Sequence, residues 1–221
     1  MRPLRAAGAD CATVSPTATS VAHRAGLMMI RARDANLVIW RRPQNHRIAR
    51  IAKYLVNAWR HDIDVVAPVA RAVEELTRSL IGRADGLMPG ALISDIRDLA
   101  SFYAKTTRTA IIHLKLERID RQKCPLFHTD FVGLRLLTSY CGRGTEWLRE
   151  DGVNRDALGA GSNARIVTDR RRLRRLNPFW VGLLKGDAYA GNVNRGCVHR
   201  SPPIDRRSEL RLVLTIDDLE T

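Results

Sequence analysis

The chain has 221 residues, of which 45% are hydrophobic and 27% are charged, a composition that excludes a disordered tail and a collagen-like fibre. Its 37 basic residues outnumber 23 acidic ones and give a net charge of +14, and all but five of the basic residues are arginine. Such an excess leaves a nucleic-acid partner open without identifying one, because net charge governs solubility and non-specific association rather than a reaction.

The sequence has no apolar run of about 18 residues, the length that a membrane-spanning helix needs. Its four cysteines are too few and too irregularly spaced for a disulfide scaffold in a chain of this length. We therefore expect a soluble, cytoplasmic protein with reduced thiols and no membrane partner. The cysteines are Cys11, Cys124, Cys141 and Cys197.

Three regions are predicted along the chain. Residues 1–44 are expected to form a basic, partly disordered leader, since they lack the compact apolar stretch of a secretory signal. Residues 45–107 are expected to form a helical support region, because apolar side chains recur every three or four residues in 45–60, in 63–81 and again after the Pro89–Gly90 break. Residues 108–221 are expected to form the metal-binding core.

Apolar and polar residues alternate beyond residue 108, which is typical of half-buried strands. Leu114 and Leu116, for example, alternate with His113, Lys115 and Glu117. Further strands are predicted at residues 134–140, 145–148, 180–184, 196–200 and 210–217, and residues 149–177 are expected to be irregular. The chain is therefore predicted to have an α+β fold, in which a β-sandwich or jelly roll packs against about three supporting helices.

A candidate metal site begins at His128 and Asp130 in CPLFHTD. Side chains two positions apart project to the same face of an extended segment, so both can hold one ion. His199 in GCVHRSPP is the natural third ligand. Two imidazoles and one carboxylate form a facial triad with open positions, which favours iron(II) for chemistry with oxygen and also fits zinc or manganese.

Arg211 is the candidate cosubstrate anchor. It opens the last predicted strand, RLVLTID, twelve residues after His199, so a hairpin would bring its guanidinium near the metal. A planar cation there can hold the distal carboxylate of 2-oxoglutarate in a bidentate contact. The alternative is a structural ion pair of Arg211 with Asp205, Glu209 or Asp217.

The segments FHTD, LRLLTSYCGRGTEWL, VGLLKGDAYAGN, VHRSPP and RLVLTID occur in an order that resembles the double-stranded β-helix (jelly-roll) core of iron(II)- and 2-oxoglutarate-dependent oxygenases. The chain resembles more closely a bacterial family known as domain of unknown function 1826. The oxygenase resemblance implies metal ligands at His128, Asp130 and His199 and cosubstrate binding at Arg211. It departs from the common Arg-x-Ser motif, since Val213 stands where a serine often helps to hold the carboxylate. The family resemblance also implies a role in zinc limitation.

Three residues are candidates for substrate binding. Thr145 and Trp147 follow two glycines in YCGRGTEWL, where a tight turn would precede a strand that lines the pocket. Lys185, in LLKGD, is expected at a strand end, where it either attracts an anionic substrate or is simply solvated.

Three functions are weighed on these residues. The first is an oxygenase that hydroxylates an unknown substrate with iron(II) and 2-oxoglutarate. The alternative is a non-redox zinc protein of zinc homeostasis on the same fold, with the triad and with Cys124 or Cys197 as ligands. The third is a nucleic-acid binder that uses the run from Arg170 to Arg175, although this run has no interleaved aromatic residue and a solvated loop or helix face is favoured.

Overall fold

A computed structural model describes residues 15–58, 62–81, 88–204 and 209–218 of the chain. These residues form a mixed α and β structure with a seven-stranded sheet, a three-stranded sheet and helices packed against the larger sheet. None of the helices in the described ranges is both long and apolar enough to cross a membrane.

In the part of the chain that the structure describes, the three long helices come before residue 108. The helices are α1 (His46–Ala58), α2 (Val69–Ile81), α3 (Gly90–Thr107) and the short α4 (Asn163–Ile166). The strands are β1 (Thr17–Val21), β2 (Ala35–Trp40), β3 (Ile63–Pro68), β4 (Ile111–Ile119), β5 (Leu134–Cys141), β6 (Glu146–Leu148), β7 (Leu173–Arg175), β8 (Val181–Lys185), β9 (His199–Arg200) and β10 (Arg211–Asp218). Short 3-10 helices occur at Arg24–Arg31, Glu150–Gly152, Arg155–Ala157 and Arg170–Arg172.

The large sheet has the strand order β1-β2-β8-β5-β10-β4-β3, and the small sheet has the order β7-β6-β9. All pairs are antiparallel except β1 with β2. Residues of β10 show how alternation divides the large sheet into two faces. Leu212, Leu214 and Ile216 pack into the largest buried cluster, whereas Arg211 and Val213 line a cavity on the other face.

Helices α1 to α3 cover the first face of the large sheet. Helix α1 begins after Asn45, whose side-chain oxygen accepts hydrogen bonds from the backbone N–H groups of Arg47 (3.0 Å) and Ile48 (3.2 Å) and so caps the helix. Its apolar stripe is buried together with those of α2 and α3. On α3, the Tyr103 hydroxyl donates to the carbonyl of Leu134 on β5 at 2.6 Å, which ties the helix layer to the sheet.

The second face of the large sheet is turned toward the small sheet. Side chains from both sheets meet there in one buried cluster, to which β2, β5 and β8 contribute aliphatic residues and β6 contributes Trp147. Candidate functional residues of β5, β6, β9 and β10 face the same space. The cluster consists of Leu37, Ile39, Leu137, Trp147, Leu176, Leu184 and Cys197.

The helix predicted to begin at residue 63 is a strand at first. Residues Ile63–Pro68 form β3, which pairs with β4, and α2 begins only at Val69. The prediction was wrong here because apolar side chains fall at spacings that fit both periods over so short a run. Pro68, whose ring fixes φ, ends the strand immediately before the helix. Residues 59 and 60 of the first predicted helix lie outside the described residues.

The predicted leader also contains ordered elements, since β1 and β2 both lie within residues 1–44. Strand β2 is buried on both faces, while β1 and β8 pair with its two edges. Val38 packs on the helix side, whereas Leu37 and Ile39 pack toward the small sheet. A short apolar run of this kind carries no alternation from which a strand can be recognised. Residues 1–14 of the leader, with Cys11, lie outside the described residues.

Candidate metal centre

Two histidines far apart in sequence are joined by a β-bridge. The backbone N–H of His128 donates to the carbonyl of His199, and the N–H of His199 donates to the carbonyl of His128, both at 3.0 Å. The N–H of Ser201 continues the pairing to the carbonyl of Cys124. The pairing places the two imidazoles side by side, with ring centroids 4.7 Å apart.

Asp130 completes a group of three ligand side chains. Its Oδ1 lies 3.6 Å from Nε2 of His128, and its Oδ2 lies 3.2 Å from Nε2 of His199. One ligand atom from each residue lies within 4.8 Å of the others. Within the described ranges, this is the one group of three or more His, Cys, Asp or Glu side chains with such spacing.

Both imidazoles are oriented by backbone carbonyls. Nδ1 of His128 lies 2.9 Å from the carbonyl oxygen of Leu126, and Nδ1 of His199 lies 2.9 Å from that of Cys197. A carbonyl oxygen only accepts, so Nδ1 of each ring carries the proton and Nε2 faces Asp130 as the available ligand atom. This arrangement is the usual support for a metal-binding histidine.

Asp130 has an oxygen that the protein leaves without a hydrogen bond. Oδ2 is buried and has no such partner in the described part of the chain. Nη1 of Arg135 lies 2.6 Å away, at an ion-pair distance but without the angle of a hydrogen bond. Burial opposes ionisation of Asp130, yet the neighbouring imidazoles of His199 and His128 and the guanidinium of Arg135 hold the pKa of its carboxyl well below the ordinary range. Two imidazole nitrogens and an ionised carboxylate fit a divalent metal.

Arg135 on β5 connects this site to a second buried carboxylate. Its Nε and Nη2 donate to Oδ1 and Oδ2 of Asp217 on β10, both at 2.6 Å. Although burial opposes the charge of the guanidinium, the two carboxylates raise the pKa of Arg135. Sequence analysis missed Arg135. Its inward position in the alternating segment LRLLTSY was the available signal, but the partner Asp217 is adjacent only in the folded sheet.

The segment between the first two ligands is held by Asp187. Oδ2 of Asp187 accepts a hydrogen bond from the hydroxyl of Thr129 at 2.5 Å, and Oδ1 accepts from the N–H of Gly196 at 2.7 Å. Its own N–H donates to the carbonyl of Asp130 at 2.8 Å. Gly186 makes this approach possible, because a Cβ there would lie 2.2 Å from the carbonyl oxygen of Val132.

Arg211 and two of the triad residues line one cavity of about 120 Å³. The guanidinium of Arg211 is 2% exposed, and its Nε donates to the carbonyl of Arg143 at 2.6 Å. Burial lowers the pKa of Arg211 to about 10, with smaller opposed effects of Glu117 and Arg175. The cavity is bordered by several cations and by Glu117, which Lys123 already pairs at 2.6 Å. The lining cations are Lys123, Arg135, Arg200 and Arg211.

The structural ion pairs considered for Arg211 are not formed within the described residues. Glu209 pairs with Arg143 at 3.3 Å, and Asp217 pairs with Arg135. Asp205 lies outside the described residues. Arg211 is therefore a buried cation that faces a cavity without a carboxylate partner among the residues described, and an anion that enters the cavity would meet it.

The three candidate substrate-binding residues lie in different places. Thr145 lines the cavity of Arg211, as expected for a residue near the site. Trp147 faces the space between the sheets but lines a separate cavity. Lys185 lies on the helix side, because alternation along β8 turns Leu184 toward the small sheet. Its Nζ donates to the carbonyl of Ala32 at 2.8 Å and lies over the ring of Tyr189.

The charged side chain of Glu146, on β6, does not point into solvent. It is buried and pairs with two arginines of the neighbouring strands. Nη2 of Arg175 lies 2.5 Å from Oε1, and Nε of Arg200 donates to Oε2 at 2.9 Å. A buried carboxylate with two such partners is charge-compensated, so Glu146 holds the small sheet together.

Cys124 and Cys197 lie outside the group of three side chains that could hold a metal. Cys124 lines the Arg211 cavity and Cys197 is buried, but neither belongs to the group formed by the triad. Burial also raises the pKa of the Cys197 thiol to about 12, which opposes formation of a thiolate ligand.

The arginine run from Arg170 to Arg175 is partly neutralised. It forms a 3-10 turn followed by β7. Arg171 pairs with Asp169 and Arg172 pairs with Asp151, at 3.1 Å each, and Arg175 pairs with Glu146. The run is therefore tied to local carboxylates, as a structural turn would be.

Metal affinity is expected to fall as the pH falls through the folded-state pKa of His128. The contact with Asp130 raises this pKa above the ordinary 6.5, although burial opposes the shift. A metal requires the neutral imidazole, so each unit below the pKa should weaken binding about tenfold. The same shift stabilises the metal-free fold at low pH, and that contribution is lost as the pH rises through the folded-state pKa. Calorimetric titration with Mn(II) between about pH 5.5 and 8 tests the trend in affinity, and urea unfolding of the metal-free protein over the same range tests the trend in stability. An affinity independent of pH would contradict the assignment of His128.

Among known protein families, residues 22–217 match the family described as protein of unknown function (DUF1826). No curated protein sequence matches the chain. Among solved structures, a dioxygenase for auxin oxidation from rice is 15% identical, covers 92% of this chain and 82% of its own, and has a TM-score of 0.47. EvdO2 from Micromonospora carbonacea var. aurantiaca is 11% identical over 88% of this chain and 90% of its own, with a TM-score of 0.42. The Fe(II)/(alpha)ketoglutarate-dependent dioxygenase TqaL is 14% identical over 57% of this chain and 53% of its own, with a TM-score of 0.38.

Proposed function

The chain belongs to the DUF1826 family of proteins of unknown function, and we propose that it is a non-haem iron(II)- and 2-oxoglutarate-dependent oxygenase that hydroxylates a second substrate. One observation carries the proposal. Ligands of the group formed by His128, Asp130 and His199 border the same cavity as the buried cation of Arg211, which has no carboxylate partner in the described part of the chain.

We assign the two facing sheets to a double-stranded β-helix. The assignment is supported by the antiparallel order of β8, β5, β10 and β4 in the large sheet and of β7, β6 and β9 in the small one. The bridge between His128 and His199 extends the small sheet by one more segment. In this arrangement the ligands lie on the small sheet and the anchor lies on the large one, so the space between the sheets is the reaction site.

Iron(II) would be held by Nε2 of His128, Nε2 of His199 and the carboxylate of Asp130. When bound, it would supply the activation of oxygen that is coupled to decarboxylation of 2-oxoglutarate and hydroxylation of the substrate. The carbonyls of Leu126 and Cys197 keep each imidazole in the tautomer that presents Nε2.

Arg211 would hold the distal carboxylate of 2-oxoglutarate. Its guanidinium is buried and is fixed at Nε by the carbonyl of Arg143, so its remaining N–H groups need not be reoriented when the anion binds. Valine occupies position 213, where a serine often helps to hold the carboxylate. Thr145, on the same cavity wall, offers a hydroxyl in place of that serine. The surrounding cations favour a small dianion over a neutral molecule.

An anaerobic titration tests the proposal. Metal-free protein is titrated with iron(II) and then with 2-oxoglutarate, and the visible charge-transfer absorption of the chelate is recorded. We expect a band with the wild type and with His46→Ala, a histidine at the start of α1 away from the site, and no band with His199→Ala. A wild-type protein that gives no band and retains zinc instead would overturn the oxygenase in favour of a non-redox zinc protein.

A further inference from the structure

A second cavity, of about 480 Å³, is lined by Trp147 and by residues of both sheets. It is bordered by β1 and β2 of the large sheet and by the strands around the metal ligands. Its volume falls in the range of small-molecule sites and is four times that of the Arg211 cavity. Its inner walls include Asn36, Leu37, Trp147, Leu148, Cys197 and Val198.

The cavity is one side chain away from the metal ligands. Trp147 of β6 pairs directly with His199 of β9. Directly opposed residues of an antiparallel pair project to the same face, with Cβ atoms about 4.5–5.5 Å apart. Cys197 precedes His199 by two residues and packs with Trp147 in the cluster between the sheets. A ligand in this cavity would therefore pack against side chains that neighbour His199.

The carboxylates at this cavity are already compensated. Glu150 forms a two-pronged contact with Arg155, at 2.6 and 2.7 Å. Asp151 pairs with Arg149 at 3.4 Å and with Arg172 at 3.1 Å. A charged ligand would have to compete with these pairs, whereas an uncharged one would not. The Arg211 cavity differs, since it presents a cation without a carboxylate partner among the described residues.

We propose that the 480 Å³ cavity binds the primary substrate, and that this substrate is an uncharged small molecule with a flat apolar ring system that packs against Trp147. The inference rests on the proposed oxygenase function, in which the smaller cationic cavity holds the dicarboxylate. The large flat indole of Trp147 supplies apolar contact area in the cavity wall. The two cavities differ in size and charge. The smaller, cationic one would hold the dicarboxylate, and the larger one would hold the uncharged substrate.

Binding of a neutral two-ring probe tests the cavity. N-phenyl-1-naphthylamine fluorescence is titrated against the full chain, with and without iron(II) and 2-oxoglutarate under anaerobic conditions. Ala18 lines the cavity and is exposed, so Ala18→Phe should fill the cavity without loss of the fold. We expect saturable one-to-one binding that Ala18→Phe weakens about tenfold or more. Ala160→Phe, at an exposed alanine that does not line the cavity, should bind as the wild type does.

A relaxation measurement tests the distance to the triad. Mn(II) bound by the protein should increase the proton relaxation rate of the bound probe several-fold over the Zn(II) sample, and His199→Ala should abolish the increase. Absent or non-saturable binding, or binding that is unchanged in Ala18→Phe, would overturn the cavity assignment while a charge-transfer band still upholds the oxygenase. Cavity binding without that band or a Mn(II) effect would leave a ligand site but refute its role as the substrate site.

Discussion

Replacement of Arg211 by methionine is expected to weaken the binding of 2-oxoglutarate to the iron-loaded protein by about 2–5 kcal/mol, which is roughly 30-fold to several thousand-fold in Kd. The physical reason is the loss of a buried, directional partner for the distal carboxylate. The other cations at the cavity do not replace it, since Lys123, Arg135 and Arg200 are each held by a carboxylate of the protein.

The measurement is an anaerobic titration with 2-oxoglutarate at saturating iron(II). Iron binding itself should be unchanged, because Arg211 contributes no ligand. Arg174→Met removes an exposed arginine whose side chain donates to the carbonyls of Arg171 and Leu173, and it serves as the matched control. An Arg211→Met protein with the wild-type Kd would show that the residue has a structural role alone.

The same substitution is expected to preserve or raise the stability of the metal-free protein. Arg211 is buried without a carboxylate partner in the described residues, so the fold bears the cost of desolvating its charge. A methionine of similar length removes that cost while it keeps much of the packing. Loss of binding together with unchanged or higher stability would separate a functional role from a structural one.

Replacement of Arg135 by methionine is expected to have the opposite effect on stability and to lower the free energy of unfolding by about 3–5 kcal/mol. The variant leaves Asp130 and Asp217 buried without their shared cation, and their mutual repulsion is no longer screened. Metal affinity should also change, because Arg135 positions the carboxylate of Asp130. Urea unfolding of metal-free protein measures the first effect, and Mn(II) titration measures the second.

A second substitution keeps this prediction specific. Asp217 loses two hydrogen bonds when Arg135 is replaced by methionine. Combination of Arg135→Met with Asp217→Asn removes the unpaired charge, so the double variant should recover part of the lost stability. Arg135→Lys should recover part of the metal affinity, since it retains a cation near Asp130. If all three variants unfold at the wild-type urea concentration, the network does not stabilise the fold.

The sequence contained the chemistry of the site but not its surroundings. The spacing of His128 and Asp130, the position of His199 beside a turn and the arginine at the head of the last strand were visible, and the folded chain brings all four residues to one place. Arg135 could not be recognised, since its two partners lie on other segments. Lys185 was predicted only to mark a strand end near the site, and the folded chain turns its side chain to the helix side of the sheet.

The sequence likewise predicted only part of the fold. Periodicity identified α1, α3, β4, β5 and β10 because each is long enough to show its spacing. Strands β1, β2, β3 and β7 were missed. Strand β2 is a short run buried on both faces, and β3 merges into the helix that follows.

By itself the sequence determined the residue types, their order and the local periods, from which the ligand triad and the arginine anchor are proposed and the alternating core strands are predicted. Only the tertiary structure decided which carboxylates are already paired, which cation faces a cavity without a carboxylate partner among the described residues, and that Trp147 lines a second cavity that differs from the Arg211 cavity in size and charge. The reason is that local periods depend on neighbours within a few residues, whereas charge compensation and cavity shape depend on side chains that meet across sheets. Glu146 shows the difference in one residue, since glutamate is usually exposed but this side chain is buried between Arg175 and Arg200.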